Sequence, residues 1–354
     1  MDYQQENNVW VIGHKNPDTD SICAAICYAN LKNRLQDGFH YIPKRAGSIN
    51  EETKYVLQHF GVEPPEYAED AGAQVKDIAF RRTAGVSGHI SLKKAWELMK
   101  TENVMTLAVT SASDKLEGLI ITGDIAESYM DVYDNHILSR ARTQYKNIVE
   151  TLNGTLLAGN EHAYFLRGKV VVATGSRDVI EECIESDDLV IVGDRDETHI
   201  CALEENASCM VVTGGTQVSA QVLEMANRRD CVVIITPYDT FTAARLINQS
   251  MPIKYFMKKE NFVTFDIDDY VDEVREVMSK KRHRDFPVLD DQRRYLGMVS
   301  RRNLLNMHKK KLILVDHNEK SQAIDGIEGA EILEIIDHHR LGSLETMSPV
   351  FFRN

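Results

Sequence analysis

No apolar run in these 354 residues approaches the ~20 needed to cross a bilayer, and the opening stretch Met1–Asn8 is polar and acidic, unlike a signal peptide. A soluble, cytoplasmic chain with no membrane partner is expected. The six cysteines, Cys23, Cys27, Cys183, Cys201, Cys209 and Cys231, lack zinc-finger pairing. Four fall in apolar-periodic stretches where a free thiol packs as a small hydrophobe, which suits a reducing compartment. Positive charge is also short: 41 Lys and Arg against 54 Asp and Glu leave −13, which repels phosphate and argues against nucleic acid as a partner.

What is present is ordinary for a folded chain. Hydrophobic residues make up 43% and charged residues 27%, enough apolar surface to offset the entropy of ordering, so disorder is excluded. At about 150 residues per domain the length predicts two or three domains. One stretch reverses the charge: Arg275–Lys311 holds twelve basic residues against four acidic ones, a balance of +8 that leaves −21 elsewhere. It is either a solvated face or a pocket for a phosphorylated ligand.

The apolar run Val9–Gly13 precedes HKNPDTDS and an amphipathic segment with Ile22, Ala25, Ile26 and Ala29 at helical spacing, which predicts strand, loop and helix. Two more strands of buried type come near the end, Leu312–Val315 and Ile332–Ile336, and each runs straight into polar residues, DHN and DHHR. In an open parallel sheet such positions line the crevice at the carboxyl ends of the strands, where ligands bind. Between these pieces, Val170–Thr174, Leu189–Gly193, Cys209–Thr213 and Cys231–Ile235 alternate with helical patterns such as Val218–Asn227, and predict an α/β unit. Its flanks repeat one another. Helix Ser91–Lys100, strand Leu107–Val109 and Gly118–Asp124 match helix Asp272–Lys280, strand Phe286–Asp290 and Gly297–Asn303, in the order helix, strand, turn, strand, helix.

The strand-end residues carry chemistry. His14, Asp18 and Asp20 form H-x-x-x-D-x-D; Asp316 and His317 follow the second strand; Asp337, His338 and His339 follow the third. Mixed imidazole and carboxylate donors suit Mn²⁺ or Co²⁺ better than Mg²⁺, which prefers an all-oxygen octahedron. Two ions about 3.5–4 Å apart need a bridging carboxylate, and such a pair can hold a hydroxide and polarise a phosphoryl oxygen. A lone His or Asp at a strand end is more often a cap or a satisfied core group, and that holds for His317 taken alone. For the whole set it is the weaker reading.

GHKNPDTDS at Gly13–Ser21, VDHNE at Val315–Glu319 and DHHR at Asp337–Arg340 resemble the N-terminal motifs of the DHH phosphoesterase superfamily, and among these the family II, manganese-dependent inorganic pyrophosphatases. The flanking repeat resembles a CBS pair. The unit inside it, with GDRDE at Gly193–Glu197 and TGG at Thr213–Gly215, resembles a DRTGG domain. The resemblance implies an α/β fold: a DHH-type parallel-sheet domain interrupted by a CBS pair with an inserted α/β DRTGG-like domain. Its boundaries would be 1–65 and 312–354 for the catalytic domain, 66–131 and 251–311 for the CBS copies, and 132–250 for the DRTGG-like domain.

The same resemblance implies that His14 and Asp18 hold a first Mn²⁺ or Co²⁺, Asp20 and His338 a second, and that Asp316 bridges them. His339 would face the substrate phosphate with Arg340 nearby, and His317, Asn318 and Asp337 would support the ligands. An adenine nucleotide, AMP or ADP, would bind between the CBS copies, with Asp124 on the ribose, Ser300, Arg301 and Arg302 near the phosphates, and Arg284 beside them. Each copy departs once from the nucleotide signature G-h-h-[ST]-x-x-D: Ile121 stands for Ser or Thr in the first, Asn303 for Asp in the second. The family continues beyond the position of Phe351–Asn354 into a further Asp ligand and a domain that grips pyrophosphate, so the chain as given is expected to be incomplete for catalysis. The activity implied is hydrolysis of pyrophosphate by a nucleotide-regulated homodimer built through its CBS domains. Two other readings stay open: a nucleotide-sensing module with a residual metal site, and a DHH phosphoesterase acting on another phosphorylated substrate.

Overall fold

The computed structural model describes residues 7–130, 134–175, 177–307, 309–340, 342, 345–346 and 349–353. They divide into two units, one of Met1–Arg82, Thr264–Asp291 and Gly297–Asn354, the other of Thr83–Val263 and Gln292–Leu296.

In the first unit six strands form one all-parallel sheet in the order Phe351–Arg353, Glu331–Ile336, Lys311–Val315, Asn8–Ile12, His40–Arg45, Glu66–Tyr67. The period-2 alternation of each strand divides its apolar residues between the two faces. Val9, Val11, Ile313 and Val315 meet Ala25 and Ala29 of helix Thr19–Leu35, whereas Ile12, Leu312 and Leu314 meet Ala71, Ile324 and Ile327 from the loops on the other face. The helix starts at Thr19 because the extended Asp18 caps it, its Oδ1 accepting from the Ser21 N–H at 3.2 Å. The strands Glu331–Ile336, Lys311–Val315 and Asn8–Ile12 are neighbours and run the same way. Their carboxyl ends therefore deliver His14, Asp316 and Asp337 side by side.

The helix is pinned to this sheet by Glu334, whose carboxylate accepts from the Tyr28 hydroxyl and, at 2.9 Å, from Lys32 Nζ. Burial pushes the Glu334 carboxyl up, but the bonds from Tyr28 and Lys32 outweigh it and leave the group below its usual range. A carboxylate depressed in the folded state contributes stability above its unfolded pKa and loses that contribution as pH falls through the folded one. Glu334→Gln is expected to cost about 1–3 kcal/mol at pH 7, and the gap to wild type should close on acidification below about pH 4. Urea unfolding at both pH values checks this; a gap of the same size in acid would contradict it.

The same unit holds most of the second repeat copy, whose strands Phe265–Asp266, Asp285–Leu289 and Tyr295–Ser300 form a three-stranded sheet beside helix Val271–Lys280 in the sequence. The repeat pattern leads one to expect a closing helix here, and that expectation is corrected. The segment is a four-residue 3₁₀ turn, Asn303–Asn306, where the first copy has the nine-residue helix Thr122–Met130. Arg301–Lys310 must also reach the next strand at Lys311, which leaves too little chain for a helix.

In the second unit, helix Leu92–Thr101 precedes the antiparallel pair Thr106–Thr110 and Leu116–Ile121. The α/β portion is a five-stranded sheet, Thr155–Ala158, Val232–Ile235, Cys209–Val212, Leu189–Val192, Val170–Val172. The last four are parallel, as their spacing predicts. The first is an antiparallel edge strand too short to show a period in sequence. All six cysteines are free, and Cys201, Cys209 and Cys231 are buried. Among the described residues no helix is long and apolar enough to cross a membrane.

Candidate metal centre

Asp316 is the hub. It leaves its strand with φ +61°, a left-handed backbone that Asp tolerates better than most side chains, and its N–H donates to Ile336 O at 2.8 Å. The turn inserts a nearly buried carboxylate among three imidazoles. Its Oδ2 lies 3.3 Å from His14 Nε2, and its Oδ1 lies 3.9 Å from both His338 Nε2 and His339 Nδ1. Among the described residues two trios converge with all ligand atoms within 4.8 Å: His14, Asp18 and Asp316, and Asp316, His338 and His339. One carboxylate thus serves both.

Asp18 does two jobs, capping the helix and standing 3.5 Å from His14 Nε2. Asp20 joins neither trio; it lies against Asp18, and their shared hydrogen bond holds Asp18 below its usual range and raises Asp20 above it. Asp316 is raised by burial and by the nearby Asp20 and Asp18. Crowded carboxylates beside imidazole nitrogens form a donor set that fits divalent ions of borderline hardness.

A second layer fixes these groups. Asp337 is buried; its Oδ1 accepts from the His339 backbone N–H at 3.1 Å and from His339 Nδ1 at 2.7 Å, and its Oδ2 accepts from Asn318 Nδ2. Burial raises Asp337, yet these bonds prevail and hold it below its usual range, while the bond to Asp337 raises His339. His339 therefore presents Nε2 outward. Asn318 Nδ2 also reaches Arg340 O at 3.1 Å, and its Oδ1 accepts from the Gly342 N–H, so it ties the DHN turn to the DHHR turn. The Arg340 side chain is exposed. His317 is buried, its Nδ1 2.9 Å from Val315 O, and burial lowers its pKa.

The repeat copies carry a second set of candidates. Each copy's strand is bridged by the segment that leads into the other copy: Arg81 exchanges backbone bonds with Met298, and Lys258 with Leu119. The approach needs glycine. A Cβ at Gly297 would stand 2.3 Å from Arg81 O, and one at Gly118 2.6 Å from Lys258 O. At the first strand's end, Asp124 accepts from the Ile121 N–H at 2.9 Å and lies 3.4 Å from Lys258 Nζ. At the second, Asn303 Oδ1 accepts from the Ser300 N–H at 2.8 Å and its hydroxyl at 2.7 Å, while Nδ2 donates to Ala79 O at 2.7 Å.

Arg301 donates to the carbonyls of Met278, Lys281 and His283, sealing the end of helix Val271–Lys280. Other members of the basic run are also engaged: Arg275 with Asp272, Lys280 with Glu276, and Lys310 with Gly72 O. The side chains of Arg284 and Arg302 are exposed.

Residues 147–250 match the DRTGG domain and residues 253–309 the CBS domain. The chain is 41% identical over 346 residues to a cobalt-dependent inorganic pyrophosphatase of Clostridium perfringens, covering 98% of this chain and 63% of that one. It is 38% identical to a probable manganese-dependent inorganic pyrophosphatase of Thermotoga maritima, with the same coverage. The solved CBS and DRTGG domains of the Clostridium perfringens pyrophosphatase regulatory region, complexed with the activator diadenosine tetraphosphate, match at 36% identity and TM-score 0.62, over 65% of this chain and all of that one. The chain carries a CBS and DRTGG region of the same family as that regulatory region, and over nearly its whole length it is similar to these inorganic pyrophosphatases. It spans 63% of the length of these two pyrophosphatases.

The structure gathers His14, Asp18, His338 and His339 around the Asp316 carboxylate, and leaves Asp20 beside Asp18 and Arg340 exposed. Sequence reading missed Lys258, Arg81 and Ala79, which face the signature positions of the copies. A signal existed: Phe80-Arg81-Arg82 and Met257-Lys258-Lys259 are both a hydrophobic residue followed by two cations, at matching places in the repeat.

Proposed function

We propose that this chain carries the metal centre and regulatory region of a cytoplasmic, DHH-type enzyme that hydrolyses pyrophosphate to two phosphates, controlled by an adenine nucleotide. The observation that carries the reading is the Asp316 carboxylate shared by two ligand trios at the ends of three adjacent parallel strands. His14, Asp18 and Asp316 would hold one Mn²⁺ or Co²⁺, and Asp316 and His338, with Asp20 turned from Asp18, the other. Once bound, the ions supply Lewis-acid charge neutralisation and lower the pKa of the attacking water. His339, fixed through Nδ1 by Asp337, directs its Nε2 at the substrate phosphate, and Arg340 adds charge at the rim. Phosphate release by the full-length gene product tests this. Turnover of roughly 1–10³ s⁻¹ with Mn²⁺ or Co²⁺, abolished by chelation, is the expected result; no turnover on pyrophosphate with metal bound would refute it.

For regulation, Asp124 takes the ribose and Lys258, freed from it, turns to a phosphate, with Ser300, Arg302 and Arg284 serving the second copy and Arg301 acting as a helix cap. The CBS copies are also the expected homodimer interface. Asp124→Ala is expected to weaken AMP or diadenosine tetraphosphate binding about tenfold, or ~1.4 kcal/mol. Lys258→Ala should cost affinity that shrinks as salt is added. Calorimetry at two ionic strengths checks both; unchanged affinity in both variants would place the nucleotide elsewhere.

A further inference from the structure

His317 is 1% exposed, and its two ring nitrogens differ in their surroundings. Nδ1 lies 2.9 Å from Val315 O; a carbonyl can only accept, so Nδ1 carries the proton and Nε2 is left as a lone pair. That lone pair is buried and has no hydrogen-bond partner among the described residues. Leaving a buried acceptor without a donor is costly, so such a group in a native interior calls for an explanation. The adjacent residue is the hub Asp316, and the His317 ring meets that of His14 edge-to-face with centroids 6.4 Å apart. His14 turns Nε2 toward Asp18 and Asp316. As a ligand through Nε2 it must keep its proton on Nδ1, and that proton needs an acceptor to hold the ring's orientation.

We infer that His317 is the positioning residue of the first ion: its Nε2 lone pair accepts from a water held between the two imidazoles, and that water takes the Nδ1–H of His14. The separation of the rings suits a bridged contact and not a direct one. His317 would thereby fix the tautomer and aim of His14 without touching an ion. The inference rests on the metal-centre reading above.

Two variants separate an acceptor from mere bulk. In His317→Asn the shorter amide can still donate to Val315 O but offers nothing where Nε2 stood; in His317→Gln the amide oxygen can reach that place. Co²⁺ titration by calorimetry, with the visible d–d spectrum of the bound ion, is read on the chain as it stands. His317→Asn is expected to bind about 10–100-fold more weakly, with a shifted spectrum, and His317→Gln to recover most of the affinity. Equal affinity in wild type and His317→Asn would overturn the inference, and so would equal weakness in both folded variants. A wild-type chain that binds no Co²⁺ would instead bring down the metal-centre reading on which the inference depends.

Discussion

Asp316→Ala is expected to weaken Mn²⁺ binding at both positions at once, by more than the 10–100-fold typical of losing a supporting residue. The reason is geometric. Its two carboxylate oxygens face different partners, His14 on one side and His338 and His339 on the other, so no other substitution removes a donor from both trios. His14→Ala should weaken one ion and spare the other. Calorimetric stoichiometry distinguishes the cases: retention of wild-type affinity for either ion in Asp316→Ala would end the shared-carboxylate account. The backbone adds a control. Asp316→Asn keeps a residue that tolerates the left-handed turn at φ +61°, so its losses report on charge and not on a changed loop.

The second large effect is expected at His339. In the full-length enzyme His339→Gln should lower kcat by roughly 10²–10³-fold, the usual scale for losing one preorganised contact to developing charge, with Mn²⁺ affinity little changed. The structure makes this a real choice. His339 Nδ1 lies in the second trio, 3.9 Å from Asp316 Oδ1, yet the same nitrogen is 2.7 Å from Asp337 Oδ1. A nitrogen that donates to Asp337 has no lone pair for a metal. If Mn²⁺ affinity falls in step with kcat in His339→Gln, the ring is a ligand and the bond to Asp337 is broken when the centre fills.

Much of this was legible in the sequence because the decisive signals are local. Apolar runs of four or five residues ending in DHN or DHHR mark buried parallel strands, and their adjacency puts three reactive ends together. The four-strand rhythm of the inserted unit was equally plain, since a strand buried on both faces reads as an unbroken apolar run. What was hidden depends on partners distant in sequence. Arg301 reads as a phosphate ligand until its guanidinium is seen on the carbonyls of Met278, Lys281 and His283. Lys258 shows its role only once it crosses to Asp124 in the other repeat copy. The loss of the closing helix after Ser300 reflects chain length between two strands, a tertiary demand that overrides repeat symmetry.

Electron paramagnetic resonance of the Mn²⁺-loaded chain tests the central claim most directly, because ions about 3.5–4 Å apart on one bridging carboxylate couple their spins. The account predicts two Mn²⁺ per chain with an exchange-coupled spectrum in wild type and loss of the coupling in Asp316→Ala. A simple six-line spectrum of isolated Mn²⁺ at full loading of the wild-type chain would contradict it.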